Sequence, residues 1–313
     1  MPGSLSARAW AAALYRLCFH SPHWRIGWRF VTGTDVWDRQ DLGGAPWQVL
    51  RNPPDRFFAD PFPVIWQGRQ VLLFEDYHHH RGKGIISAVA FGASGPEGPA
   101  FPVLDEPWHL SYPFTIEDEG ELWLLPESTE NKVVSIYRSV RFPERWEKEA
   151  DLLTDIEASD PTVIFHQGRF WLFASVRRET DSFSEALCIF VAERLLGPWR
   201  PHPCNPVVVD LASARPAGNI VVRNGRLWRP VQDCRKWYGA AIGLAEVLRL
   251  DEGGYQQRVS TILRPGRFWP GRRLHTLNRA GRLECIDGSA LALRRDPWRS
   301  LTGLLRSQGT DAR

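Results

Sequence analysis

Lysine is nearly missing from this chain of 313 residues: four stand against 35 arginines, and the formal charge is only +3. No basic stripe forms, so a nucleic-acid partner is not expected. Cysteine is sparse as well. Cys18, Cys188, Cys204, Cys234 and Cys285 are odd in number, scattered and without CxxC spacing, which excludes a disulfide framework and a zinc site and points to a reducing, cytoplasmic setting. P-loop, GxGxxG and GxSxG patterns are absent, so no nucleotide, dinucleotide or hydrolase-elbow chemistry is indicated and no cofactor is expected. Long hydrophobic runs are lacking too. The apolar opening is interrupted by Arg8 and Arg16, too broken for a signal segment and too short to span a bilayer. It reads as an amphipathic helix, packed on the body of the protein or, alternatively, lying peripherally on a membrane.

What the chain does have is aromatic and turn-rich: 15 Trp, 16 Phe and 24 Pro. Buried tryptophan needs a partner for its indole N–H, and proline is kept out of central ladders, so both fit a loop-rich all-β protein. One cassette recurs five times: an apolar strand, a Gly turn and a second strand. The copies run Phe58–Asp76, Ser111–Glu127, Ser159–Ser175, Ala214–Asp233 and, more weakly, Leu274–Gly288. They lie roughly 50 to 60 residues apart, which leaves room for two further strands per repeat, visible at Gly84–Val89, Val133–Tyr137 and Ala186–Val191. Four strands per repeat is a propeller blade. The expectation is therefore an all-β, five-bladed β-propeller over residues 31–300, with a short N-terminal helix and lead-in over 1–30 and a flexible tail over 301–313. A β-sandwich of about nine strands is the alternative; it would not explain the repeated X-Pro/Gly/apolar cassette.

In a propeller the first strand of each blade lines the central channel, so the residues that open those strands face one another. Here they are Asp60, Tyr112, Asp160, Arg215 and His275, all but the last followed by proline. The returning strand brings a second ring: Glu75 and Asp76 beside Asp60, Glu127 beside Tyr112, Arg177 beside Asp160, Gln232 and Asp233 beside Arg215, and Asp287 beside His275. Carboxylates crowded with arginine and histidine shift one another's pKa values, the condition for separating acid from base roles. Each has a bland alternative: Asp60 or Asp160 as a turn cap, Arg215 and Arg229 as neutralising partners, His275 as a satisfied core histidine. The run His78-His79-His80 is expected in an exposed loop rather than on a metal.

Several stretches also carry a resemblance: Phe58-Ala59-Asp60-Pro61-Phe62, Tyr112-Pro113-Phe114 with Pro126-Glu127-Ser128, Ser159-Asp160-Pro161-Thr162, Leu196-Gly197-Pro198-Trp199, Ala214-Arg215-Pro216-Ala217-Gly218, and Arg229 to Cys234 with Tyr238-Gly239. Over about residues 45 to 290 the chain resembles the N-terminal domain of glucosamine inositolphosphorylceramide transferases. The resemblance implies a bacterial stand-alone relative, a propeller similar to glycoside hydrolase families 43 and 32, and a glycan or glycolipid substrate. By position it maps Asp60 to a base or nucleophile and Glu127 or Asp160 to the proton donor. Asp76, Tyr112, Arg177, Arg215, Arg229, Gln232, Asp233 and His275 are the expected substrate contacts. The second blade departs, since Tyr112-Pro113 stands where the hydrolases carry an acid. It leaves open whether a calcium ion sits in the channel. Two functions follow: cleavage or transfer of a glycosidic unit, or non-catalytic glycan binding beside a separately encoded glycosyltransferase in polysaccharide biosynthesis. A protein-interaction propeller is the least supported reading, because it needs no convergent acids.

Overall fold

The computed structural model describes residue 15, residues 17–177 and residues 185–294. Of the helix and lead-in expected over 1–30, residues 1–14 and 16 lie outside the described residues, as does the tail from 301. The chain begins its sheets with β1 (Trp24–Phe30), then the short helix α1 (Val36–Arg39) and β2 (Gln48–Leu50). The first full blade is β3 (Arg56–Trp66), β4 (Arg69–His78), β5 (Lys83–Gly92) and β6 (Gly95–Leu104). The second is β7 (Ser111–Asp118), β8 (Glu121–Glu127), β9 (Val133–Arg141) and β10 (Arg145–Thr154). The third comprises β11 (Ala158–His166), β12 (Arg169–Val176), β13 (Ala186–Ala192), β14 (Arg200–Pro201) and β15 (Val208–Val209). The fourth holds β16 (Val221–Arg223), β17 (Arg226–Asp233), β18 (Ala241–Asp251) and β19 (Gly254–Leu263), and the last strands are β20 (Leu277–Ala280) and β21 (Leu283–Ser289).

The five sheets are antiparallel, and the fifth is composite: β1 and β2 join β21 and β20, with β1 paired to β21 from Trp24↔Ser289 to Phe30↔Leu283. The ring is thus closed by strands from both ends of the sequence, which leaves no open blade edge at the seam. Strand β1 falls within the segment expected as lead-in, so the propeller starts earlier in the chain than residue 31. The cassette turns have one cause. Gln67-Gly68, Glu119-Gly120, Gln167-Gly168 and Asn224-Gly225 all have positive φ at both residues, the tight hairpin geometry that matches the strand twist and that glycine adopts without cost.

Alternation then decides what is buried. Phe62, Leu73, Ile86, Tyr112, Leu124 and Ile136 pack between the first two blades, each less than 2% exposed, and each such burial contributes about 1.5–3 kcal/mol. Several tryptophans fill blade margins and donate their indole N–H to loop carbonyls: Trp47 to Leu42, Trp146 to Pro143 and Trp269 to Asp287. The fourth blade differs from its expected pattern. Its first strand shrinks to β16, and upstream only a single bridge, Pro216↔Val231, joins the ladder. Pro216 has no N–H to give, and Gly218 (φ 137°) turns the chain against Leu277 of the fifth blade.

Candidate functional site

Three blades open on a non-glycine residue in the left-handed region: Asp60 (φ 49°), Tyr112 (φ 45°) and Asp160 (φ 54°). A residue before proline is normally extended, so each conformation is strained. Each also lies in a register break, between Ala59 and Phe62, Ser111 and Phe114, or Ser159 and Thr162. Such a bulge leaves one residue unpaired and re-aims its side chain, here toward the axis. Carboxylates from the preceding blade satisfy two of the freed amides. The Asp60 N–H donates to Asp287 Oδ2 at 3.0 Å, and the Asp160 N–H to Glu127 Oε2 at 2.9 Å. Tyr112 instead extends across the channel: its hydroxyl bonds Thr162 Oγ1 at 2.8 Å and accepts the Gly218 N–H at 2.8 Å.

The axis is an acid-rich funnel of side chains with little exposure to solvent. Asp160 Oδ2 accepts from Arg215 Nε at 2.6 Å and from Gln232 Nε2 at 3.2 Å, while Arg215 Nη2 stands 3.8 Å from Glu127. Burial pushes the Asp160 carboxyl up to about 7 against the opposing pull of Arg215. On the other side, Asp60 Oδ1 accepts from Thr276 Oγ1 at 2.7 Å and faces His275 Nε2 at 3.6 Å. Burial raises it to about 6, with His275 opposing and Asp287 adding to the rise. His275 is stacked on Trp24 at 3.9 Å between ring centres. Burial alone would lower its pKa; the carboxylates of Asp287 and Asp60 outweigh this and raise it. Asp287 in turn accepts the N–H groups of Asp60, His275 and Thr276 and the His275 imidazole. Asp60, His275 and Asp287 place ligand-type atoms within 4.8 Å of one another. Calcium prefers six to eight oxygens. With the Asp287 oxygens already committed to N–H donors, this trio suits a proton better than calcium.

Glu75, placed in the second ring by the sequence but not among its expected catalytic or substrate-contacting residues, completes the funnel. It is 7% exposed, and burial together with the charges of Asp60, Glu127 and Asp287 raises its pKa well above the ordinary range. His109 Nε2 stands 3.5 Å from Glu75 Oε1. His109 Nδ1 accepts the Gly84 N–H at 2.9 Å, so in the neutral ring the proton sits on Nε2. The signal was in the cassette: aligning Leu73-Phe74-Glu75 with Leu125-Pro126-Glu127 and Pro230-Val231-Gln232 puts Glu75, Glu127 and Gln232 in one column.

Other expected contacts leave the funnel for the same reason of parity. Asp76, one residue past Glu75, turns to the opposite face and bonds Arg56 at 2.9 Å and Ser87 at 2.9 Å. Asp233, one past Gln232, is gripped by Arg235 through both oxygens. Arg229, 1% exposed, donates to the Ala214 carbonyl and Gln257, a structural role between strands. Arg177 lies at the mouth, 3.3 Å from Glu157. There a cavity of about 420 Å³ opens, lined among others by His109, Glu127, Ser159, Arg177 and Arg215. Tyr238, which sequence reasoning used only as part of a motif, stands over Arg215 at 4.8 Å and edge-on to His275. Among the three histidines expected in solvent, only His80 is exposed. His79 stacks on His20 at 3.7 Å between ring centres and bonds His23 at 3.0 Å.

Residues 48–286 match the family described as glucosamine inositolphosphorylceramide transferase 1, N-terminal. The chain belongs to this family. Two curated relatives named glucosamine inositolphosphorylceramide transferase 1 show how this N-terminal family relates to longer proteins. The one from Oryza sativa subsp. japonica is 31% identical over 267 residues, covering 80% of this chain and 36% of the relative. That from Arabidopsis thaliana is 32% identical over 231 residues, covering 71% and 30%. The chain thus spans about a third of the relatives' length, and these plant matches run against the expectation of a bacterial source. Among solved structures, Zg3597, a family 117 glycoside hydrolase from Zobellia galactanivorans, superposes with a TM-score of 0.52 at 12% identity over 85% of this chain and 90% of that one. A thermostable family-43 glycoside hydrolase gives 0.49 at 16% identity, over 69% and 78%. The former likeness shows the fold alone. No helix among the described residues is long and apolar enough to cross a membrane.

Proposed function

We propose that this chain is a carbohydrate-active propeller that cleaves or transfers a glycosidic unit of a glycan or glycolipid at the funnel. The observation that carries this reading is charge imbalance. Four buried carboxyl groups, Asp60, Glu75, Asp160 and Asp287, and the partly buried Glu127 meet two basic groups, Arg215 and His275. In so buried a site such a set does not ionise fully, so a protonated carboxyl and an ionised one coexist, as glycosidic cleavage requires. Arg215 and Gln232 donate to Asp160 and oppose the rise that burial and Glu127 impose on it; Glu75, raised by burial and by the surrounding carboxylates, is the group that favours its proton. Glu75 is therefore assigned as the donor to the leaving oxygen, and Asp60 as the base that takes a proton from water or as the nucleophile. Glu127, Arg215 and Arg177 line the mouth for hydroxyl or anionic groups of the sugar. The family name and the relatives' names, which pair glucosamine with inositolphosphorylceramide, support a sugar-and-lipid substrate class.

One feature favours a second reading, glycan binding without turnover beside a separate glycosyltransferase: Asp160, the third-blade acid, is already engaged by Arg215 and Gln232. The test is reducing-sugar release from a panel of glycans, glycolipids and synthetic glycosides by the wild type, Asp60→Asn and Glu75→Gln. Release lost in both variants supports the assignment. Release by neither protein nor variant, with sugar binding retained, moves the function to binding.

A further inference from the structure

Beside the funnel lies a cavity of about 600 Å³, with a different chemistry. One wall is the turn between β17 and β18, carrying Asp233, Arg235, Lys236 and Trp237; the other, between β19 and β20, carries Arg264 and Arg272. Trp237 Nε1 donates to the Arg272 carbonyl at 3.1 Å and ties the walls together. The lone carboxylate, Asp233, is already chelated by Arg235 at 2.9 and 2.8 Å. Lys236, Arg264 and Arg272 have no carboxylate within ion-pair distance among the described residues. Three like charges gathered in a concave site repel one another, an arrangement that invites an anion. The same turn reaches the funnel twice, through Gln232 on Asp160 and Tyr238 over Arg215. Exposed Trp237 (44%) lines the opening.

We infer that this cavity is an anion subsite for a phosphate group, held by Lys236, Arg264 and Arg272 next to the funnel mouth. A phosphate monoester or diester offers the several acceptor oxygens that two guanidinium forks and an ammonium can share. The inference does not depend on whether the funnel cleaves sugars. Its source could be a phospholipid headgroup or a soluble phosphate ester, and binding measurements separate them.

The experiment titrates the protein with inorganic phosphate and glycerophosphate by calorimetry, and sediments it with vesicles of phosphatidylcholine alone or mixed with phosphatidylinositol. Wild type is compared with Arg264→Ala/Arg272→Ala and with Arg145→Ala/Lys148→Ala, an equal loss of charge on the distant strand β10. The first pair should weaken binding at least about tenfold while the melting temperature holds, and the second should leave binding intact. Binding of the soluble esters alone assigns a free phosphate compound; binding only to the mixed vesicles assigns a lipid headgroup. Both support the subsite. Equal weakening by the two pairs, or no binding of any probe, overturns it.

Discussion

A single carboxyl, Asp160, shows how much this funnel depends on pairing. It and Arg215 are both nearly inaccessible, 2.6 Å apart. Replacing it as Asp160→Ala strands a buried guanidinium, and urea unfolding should report a loss on the order of 3–5 kcal/mol; a loss under 1 kcal/mol would mean that Glu127 takes over the pairing. Two sets of groups give stability an opposed pH dependence. Asp60 and Asp160, raised to about 6 and about 7, bind protons in the folded state that the unfolded chain has released, so their contribution falls as pH rises from about 4 to 7. His23 and His79 are lowered by burial and by their histidine neighbours to about 4 and about 3, so they cost stability as pH falls below the unfolded histidine range, near 6.5. Between pH 4 and 7, Asp60→Asn should therefore gain more melting temperature with rising pH than wild type, and His79→Gln should gain less. Identical profiles would mean that neither group changes its proton affinity on folding. The acid limb of any turnover should follow Asp60, with activity rising through about pH 6.

The element that organises the site is the strained X-Pro bulge. By breaking the register of the inner strand it frees an amide and turns a polar side chain to the axis, and the neighbouring blade supplies the acceptor. Tyr112 does this without a charge. Its hydroxyl joins the second blade to Thr162 of the third and to the Gly218 amide of the fourth. Tyr112→Phe leaves that buried N–H unsatisfied, and chemical denaturation should show a cost of about 1–3 kcal/mol. An unchanged midpoint would indicate that the inter-blade bond contributes nothing net. A hydroxyl at this position also accounts for the missing second-blade acid: the place is filled by a tie between blades.

Closure is a property of the whole ring. Strand β1 holds β21 along its full length, and Arg29 reinforces the seam with a buried pair to Glu284 at 2.7 Å and bonds to the carbonyls of Gly43 and Ala45. Arg29→Ala should lower stability by about 3–5 kcal/mol, because a buried carboxylate is left unpaired far from the funnel. The measurement is an equilibrium urea curve together with sugar binding. Loss of stability with affinity intact in the folded fraction is expected; an affinity loss of the same size would show that the seam shapes the funnel.

The sequence by itself determined the repeat, the turn chemistry and hence the five blades, because alternation and tight Gly turns are local and survive in any context. It also placed Asp60, Tyr112, Asp160, Arg215 and His275 on one axis, since inner strands of a propeller must converge. Tertiary structure decided the rest. Which of two adjacent acids enters the funnel turns on strand parity, which admitted Glu75 and Gln232 and sent Asp76 and Asp233 outward. The chain's first strand became part of the last blade through pairing between residues more than 250 positions apart, which no local pattern encodes. The upward shift of the carboxyl pKa values is also a tertiary property, since it depends on how many charges the five blades bring together and how deeply they bury them.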